Sequence, residues 1–598
     1  MGPCERMVRG VALALVAVGC APGGLSPIAA ESPKDVLDAV RPRLVVPEKP
    51  RNASGQPLAI VVSGAPGAER TLTAVDLATG QTRWTQKGVV TTKVAIGGSL
   101  VAHGGKGVLV LRDLATGGVR AEVPASGTFV GVDCDDAGAY ATTMPTPASA
   151  RLVGVDPTGR PRWALDVAGQ PGARIAGAPS VVSGYVLVPL SSQYVAVLDA
   201  ASGKEVLRLR SRDAEVTFVH AQPGALGLGS GEGVFAFPAD QTAFPRDEQH
   251  FTTAALPGGA PRRVRYGRDA YAPAEADASA LDRNHLVWWL EPGRRPVLAR
   301  HAALHVFRYV FGFDATPGAD GRVGVVRFAY LHPRVEIVQT EHTGGAILAV
   351  AEDGEVFALD PATGAKRSIA RVPGPVVGAA FDAGAFAAGA TTPAGDVVAT
   401  LAQIVWDRDV RYAAAKAIAL DAIAAQPGAK SARELLRVVD SELPGPLQQR
   451  AADLLVGRKD KASLETLLEV ALRRYDHAVS TQHPPVDVVA RAIGATGDPR
   501  AVARLVMALH DPALPGAAAQ EIVDAVVATK AKEALPELVH LLRAGHADPD
   551  AIGSAKLAES WVKAVLDLGG KAGRELCDRL QNDPRTVPAL KAALDKLL

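Results

Sequence analysis

The chain has 598 residues, and its 64 Lys and Arg against 63 Asp and Glu leave a net charge of +1. That length exceeds what one hydrophobic core supports, so two or more domains are expected. The balanced charge gives no electrostatic footprint for nucleic acid or for an anionic membrane surface. Gly and Pro are abundant and aromatics few.

Taken in chain order, residues 1–20 read as an export signal. Arg6 and Arg9 precede the apolar run Val11 to Val18, which is too short to span a bilayer. Ala17-Val18-Gly19-Cys20 resembles a bacterial lipobox, which makes Cys20 the acylated mature N-terminus. Ala21 after it resembles the outer-membrane sorting pattern. The alternative is an ordinary secreted protein cut after Ala30. Each buried CH₂ of an acyl chain is worth roughly 0.8 kcal/mol, so acylation would supply a membrane anchor. Cys134 and Cys577 then remain, far apart and without CxxC neighbours, and both read as buried small hydrophobes.

Residues 21–55, rich in Pro, Gly, Ser and charge, read as a flexible tether, with a short helix at Lys34 to Val40 and a strand at Arg43 to Pro47. From 56 to 405 the texture is all β, with short apolar runs alternating with Gly-bearing turns. Gly97-Gly98 and Ser183-Gly184 each separate two strands as hairpins do.

One frame recurs through this region. Ala74-Val-Asp76-Leu-Ala-Thr79-Gly80-Gln-Thr-Arg-Trp84 is its fullest copy. Further copies carry Asp113, Thr116 and Gly117; Asp156, Thr158, Gly159 and Trp163; Asp199, Ser202 and Gly203; and Asp360, Thr363 and Gly364. Asp and Thr side chains can close a tight turn, Gly permits positive φ, and Trp offers a face for a neighbouring sheet to cover. The spacing of roughly 40 residues is that of a four-stranded propeller blade. The frame decays between Asp199 and Asp360, where Val234 to Phe237 and Gly312 to Thr316 keep fragments. Residues 238–280 are polar and read as an insertion on one propeller face. With the apolar strands of Val376 to Leu401 counted in, seven or eight blades are expected.

This frame resembles the repeat of pyrroloquinoline-quinone (PQQ)-like β-propellers, over roughly residues 58–405. That superfamily includes quinoprotein alcohol dehydrogenases and the non-enzymatic outer-membrane assembly lipoproteins of the BamB type. The resemblance implies that the Asp, Thr or Ser, Gly and Trp residues named above dock adjacent blades and are structural.

Residues 406–598 change character to Ala/Leu-rich sequence with helical periodicity. Val502, Leu505, Val506 and Leu509 share one face, and Leu535, Leu538, Val539 and Leu542 another. Gly497-Asp498-Pro499 is a helix start, with Asp583-Pro584 its second occurrence. Asp407-Arg-Asp409 is expected to cap the first helix. Ile493 to Leu505 resembles HEAT-type repeats, so an α-solenoid of about five helix pairs and a terminal helix, Val587 to Leu598, is expected.

Other chemistry is not indicated by the residues. The enzymes of the superfamily carry Ca²⁺ ligands and adjacent cysteines, and the chain has no vicinal Cys pair or clustered ligand motif. His301 and His305 lack a third ligand and read as hydrogen-bonded strand histidines. Trp288 and Trp289 alternate across a sheet, with core or rim packing the expected role. Arg262, Arg263, Arg265 and Arg268 read as a solvated loop. No catalytic, cofactor or metal residues are expected. The resulting expectation is a lipid-anchored, non-enzymatic scaffold of the bacterial cell envelope. It would bind envelope proteins through a propeller face and the concave side of the solenoid, on the outer membrane or free in the periplasm, with a role in outer-membrane protein assembly. The alternative is a periplasmic PQQ-dependent oxidoreductase.

Overall fold

The computed structural model describes residues 49–598 apart from 66–68, 147–148, 169–176, 191–193, 212–217, 223–224, 231–232, 238–249, 252, 255–285, 288–300, 315–325, 344, 390–394, 410–412, 460, 472–484 and 512–513. Two compact units emerge, one within residues 1–397 and 409–412, the other within 398–408 and 413–598. The expected signal, the tether to residue 48, the helix at Lys34 and the strand at Arg43 lie outside the described residues.

The first unit is built of sheets in propeller-like succession, seven among the described residues: six antiparallel and four-stranded, and one whose four antiparallel strands gain a short fifth in parallel. The first sheet joins the two ends of the unit. Its strand Leu58–Ser63 lies between Arg70–Asp76 and the last strand, Val376–Asp382, with Thr82–Gly88 outermost. The second sheet runs from Ala95–Gly97 through Leu100–Gly104 and Val108–Asp113 to Val119–Pro124, and the third from Thr128–Asp135 through Gly138–Thr146 and Ser149–Val155 to Pro161–Ala168. The fourth holds Ser180–Val182, Tyr185–Leu190, Tyr194–Asp199 and Glu205–Ser211, and the fifth Phe218–Gln222, Ala225–Ser230, Gly233–Phe237 and Thr253–Ala254. The sixth holds Leu286–Val287, His301–Val306, Tyr309–Asp314 and Val326–Leu331, and the seventh Ile337–His342, Ile347–Ala351, Glu355–Leu359 and Lys366–Arg371.

Strand period explains the core. Leu58 to Ser63 is buried throughout, as a strand covered on both faces must be. Leu58, Ile60 and Val62 join Val94, Ile96 and Val101 of the second-sheet side. Ala59 and Val61 point the other way, into Leu348, Val350 and Val356 of the seventh sheet. Outer strands alternate instead: in Thr82–Gly88 Trp84 is the buried residue. Each fully buried Leu, Ile or Val contributes about 1.5–3 kcal/mol, so the core lies between sheets and not inside any one of them. At the Ser183-Gly184 hairpin both residues have positive φ, 48° and 83°, the requirement of a type I′ turn.

Two expectations for this region are corrected. Residues 238–280 do not lie wholly outside the sheets: His250–Phe251 pairs parallel to Glu205–Ser211, and Thr253–Ala254 forms the outer strand of the fifth sheet. A polar outer strand has one solvated side and so reads like a loop. Among the described residues the strands also end at Asp382, and Val397–Val405 is a helix. Its Val398, Leu401, Ala402 and Val405 are buried at i, i+3, i+4 and i+7; the β-branched residues had suggested a strand, but the spacing is helical.

The second unit is helical. Ala413–Ala425, Ala429–Val439, Gly445–Gly457, Leu464–Ala471, Val486–Thr496, Val502–Ala508 and Gly516–Thr529 follow in order, and each of the first five touches the helix two places on. Leu535–Gly545, the one-turn Pro549–Ile552, the long Ala555–Asn582 and the terminal Pro588–Leu597 follow, with a kink at Gly570. Val502, Leu505 and Val506 are buried together on one helix face. Asp498 has an extended backbone and its carboxylate accepts from the Arg500 amide at 3.0 Å, but Pro499–Ala501 makes a 3₁₀ turn before the α-helix. Asp583-Pro584 is a correction. Asp583 closes Ala555–Asn582 at its C-terminal end, and the last helix starts at Pro588, which itself supplies the pre-set φ of a first helical position. Asp407 and Asp409 likewise follow a helix, since the helical unit already begins at Val398.

Candidate functional site

The repeated corners build the first feature. At Asp76 one carboxylate oxygen accepts from the amides of Ala78 and Thr79, both at 3.0 Å, and the other from Arg83 at 2.6 Å. The Thr79 hydroxyl accepts from the Gln81 amide, and the Gly80 amide donates to the Asp76 carbonyl. Asp113 accepts from the amide and hydroxyl of Thr116 and from Arg120. Asp156 does the same with Thr158 and with the Arg160 amide, Asp199 with Ser202, and Asp360 with Thr363. Burial pushes the Asp76 carboxyl up, but Arg83 and Thr79 hold it below the usual carboxylate value. Arg120 lowers Asp113, the Thr158 hydroxyl lowers Asp156, and the Ser202 hydroxyl lowers Asp199.

Each of these turns rests against the sheet before it. The Trp84 ring nitrogen donates to the Leu114 carbonyl at 2.7 Å, and Trp163 donates to Ala200 at 3.0 Å. Gly117 and Gly203, both at φ +71°, sit so close that an added Cβ would meet Trp84 at 2.5 Å and Trp163 at 2.6 Å. Gly159 sits on Ala121, Gly364 on Phe328, and Gly80 on the Ile369 carbonyl. Ala121 follows its Asp by the same eight residues as Trp84 follows Asp76. Where the frame lacks Trp, a smaller or different residue therefore fills the same gap.

A second feature was invisible in the sequence. At the end of the sheets that carries the corners, Arg51 lies among four innermost strands. Its guanidinium donates to the Val181 carbonyl of the fourth sheet at 3.2 Å and to Ile96 of the second at 3.3 Å. It also pairs with Asp133 of the third sheet at 3.5 Å. The Arg51 and Asn52 amides and the Asn52 side chain all donate to Asp382 of the first sheet, at 2.7–2.8 Å. Residues 51–53 then pair with Gly98. Half-buried Glu341 of the seventh sheet faces the same group, and burial pushes its carboxyl up to about 7 against the pull of Lys93 and Arg51.

A third cluster lies within the second sheet. Buried His103 accepts from Arg112 Nε at 3.1 Å through Nε2, while its Nδ1 meets the Gly104 carbonyl. Arg112 also donates to the Gly117 carbonyl and to Lys87 of the first sheet. Burial, with Arg112 beside it, brings His103 down to about 4, so the ring is neutral with its proton on Nδ1.

The remaining expectations divide by place. Cys20, Trp288, Trp289 and the four arginines from Arg262 to Arg268 lie outside the described residues. His301 and His305 share the strand His301–Val306. Cys134 and Cys577 are buried free thiols. Among the described residues there is no group of three or more His, Cys, Asp or Glu placed to hold a metal, and no helix long and apolar enough to cross a membrane. Sequence reasoning missed Arg83 and Arg120, although each stands seven residues after its Asp, a spacing that could have revealed them. No local signal marks Arg51.

Comparison with known proteins bears on the first unit. Residues 68–237 match the family model described as outer membrane protein assembly factor BamB, a PQQ-like repeat. No curated protein matches the chain. Among solved structures, BamB from Moraxella catarrhalis is similar at 16% identity, covering 54% of this chain and 87% of that one, with a TM-score of 0.29. The Cps50 (Swd1) β-propeller domain of Myceliophteria thermophila is similar at 13% identity, covering 50% and 90%, with a TM-score of 0.33.

Proposed function

We propose that this chain is a non-enzymatic protein-interaction scaffold of the bacterial cell envelope, lipid-anchored through Cys20. In this reading a PQQ-like propeller and a HEAT-like solenoid each offer a broad rigid surface, and outer-membrane protein assembly is the process served. The observation that carries it is the saturation of the repeat corners: Asp76, Asp113, Asp156, Asp199 and Asp360 all bond to amides or hydroxyls of their own turns. Their glycines rest on the preceding sheet. The most repeated polar residues of the chain are thus engaged in joining sheets, which favours a rigid platform over a ligand cage. The family match over residues 68–237 supports the same direction. The helices that touch two places apart support a solenoid, whose stacked repeats present an extended face. Two binding modules on one chain also give avidity when both engage one complex.

The test is affinity capture of the full-length chain from detergent-solubilised envelope, read by mass spectrometry. Stoichiometric recovery of envelope proteins that is lost on deleting residues 406–598 or 56–405 is the expected result. Capture of nothing, together with dye-linked oxidation of alcohols or sugars after loading with PQQ and Ca²⁺, would replace the scaffold by the oxidoreductase reading. Cys20→Ser should release the protein from membranes.

A further inference from the structure

Two residues of the entering segment are gripped, and their neighbours are not. Arg51 is half-buried and Asn52 buried, whereas Lys49 and Ala53 to Gln56 are exposed. The grip comes from residues far away in sequence. The Arg51 guanidinium donates to the Val181 and Ile96 carbonyls and pairs with Asp133. Asp382 takes the Arg51 amide at 2.8 Å on one carboxylate oxygen, and the Asn52 amide and side chain at 2.7 Å on the other. The Ala53 amide donates to the Gly98 carbonyl, and the Gly98 amide to the Arg51 carbonyl. These contacts recognise a short extended peptide: a slot for a guanidinium, a carboxylate for two successive amides, and a backbone partner beside them.

The slot is set by groups outside the segment. The Asp133 carboxylate accepts from the Cys134 and Val181 amides at 2.9 and 2.7 Å, and Ile96, Val181 and Asp382 all belong to sheet strands. Asp382 is 5% exposed, and the three bonds it accepts among the described residues all come from Arg51 and Asn52. A buried carboxylate stripped of its donors is costly, so an emptied mouth calls for another occupant of the same chemistry. A lysine is a poor substitute, because its compact ammonium does not present the planar fork that reaches two carbonyls and a carboxylate together.

We propose that this mouth is a docking site for an arginine-bearing extended peptide of a partner protein, and that residues 51–53 occupy it as a built-in competitor. The proposal deepens the scaffold reading and rests on it for the source of the peptide. The short link to Leu58 gives the chain's own segment a high effective concentration. A partner therefore wins the site only when it brings a second contact elsewhere on the protein, as multivalent engagement does.

The test vacates the site in the full-length chain by Arg51→Ala with Asn52→Ala. The probe is a fluorescent peptide Lys-Pro-Arg-Asn-Ala-Ser-Gly-Gln, the sequence of residues 49–56, followed by anisotropy. The vacated variant should bind it saturably, about tenfold or more tighter than the wild type does. Citrulline in place of the peptide's arginine, or Asp382→Asn added to the variant, should each weaken binding by about tenfold or more. Absence of saturable binding to the vacated variant overturns the proposal, as does binding indifferent to citrulline. Arg51→Ala alone keeps the Asn52 and backbone bonds to Asp382, and guards against a vacated variant that does not fold. Methylguanidinium should raise its melting temperature saturably and leave the wild type unchanged; no rise in the variant removes the guanidinium slot. No envelope protein enters these measurements, so their failure is distinct from a failure of affinity capture.

Discussion

Gly117 rests on the indole of Trp84 so closely that a Cβ in its place would fall 2.5 Å from the ring, and the same indole donates its N–H to Leu114 three residues earlier. One aromatic side chain on the first sheet thus reads both the backbone and the missing side chain of the second. Trp163 and Gly203 repeat the relationship between the third and fourth sheets.

Trp84→Ala should destabilise the first unit by about 3–5 kcal/mol, since the ring is 8% exposed and its loss leaves a cavity as well as an unpaired carbonyl. Trp84→Phe keeps most of the apolar contact and should cost about 1–2 kcal/mol, the consequence of leaving Leu114 without its donor. Denaturant unfolding of the full chain measures both. An unchanged midpoint in Trp84→Ala would show that the ring does not join the sheets.

Gly117→Ala is expected to cost less in the Trp84→Ala background than in the wild type. In the wild type it meets both a positive φ of 71° and the ring; without the ring the steric part vanishes. A coupling of about 1 kcal/mol or more in the double-mutant cycle is the expected outcome, and strict additivity would separate the two residues.

His103 makes stability fall in acid. Its value is about 4 in the fold against an ordinary 6.5, so the unfolded chain binds a proton first. Stability from this group is complete above about 6.5 and declines as pH drops towards 4, by at most about 3 kcal/mol. His103→Gln should flatten that part of the melting temperature profile between pH 4 and 6.5. Glu341 slopes the other way, losing stability as pH rises through about 7, so the two groups are separable by pH.

Neither described thiol should react in the native state. Burial pushes Cys134 well above the ordinary thiol value and Cys577 up to about 11, so little thiolate forms near neutrality. Maleimide labelling at pH 7, read by peptide mass spectrometry, should mark both only after unfolding.

The recurring Asp-x-x-Thr-Gly frame was legible because turn closure is local: the residues that bond to one another lie within four positions, and their types are dictated by backbone geometry. The change from strand to helix near residue 400 was legible in the same way, although β-branched Val397, Val398 and Val405 hid the first helix behind a strand-like composition. The start expected at Asp583 failed because an Asp-Pro pair closes a turn as readily as it opens a helix. Thr253–Ala254 was lost because an outer strand needs no apolar face of its own.

Local chemistry in the sequence therefore determined the kind of blade, its corner and the helical nature of the second unit. What the tertiary structure decided was which surfaces those corners meet, and that residues 51–52 close over the inner strands. Arg51 and Asp382 are 331 positions apart, as are no two partners within a turn. Side chains brought together only by the succession of sheets carry no mark of it along the chain, because their attraction and desolvation depend on distance in space alone.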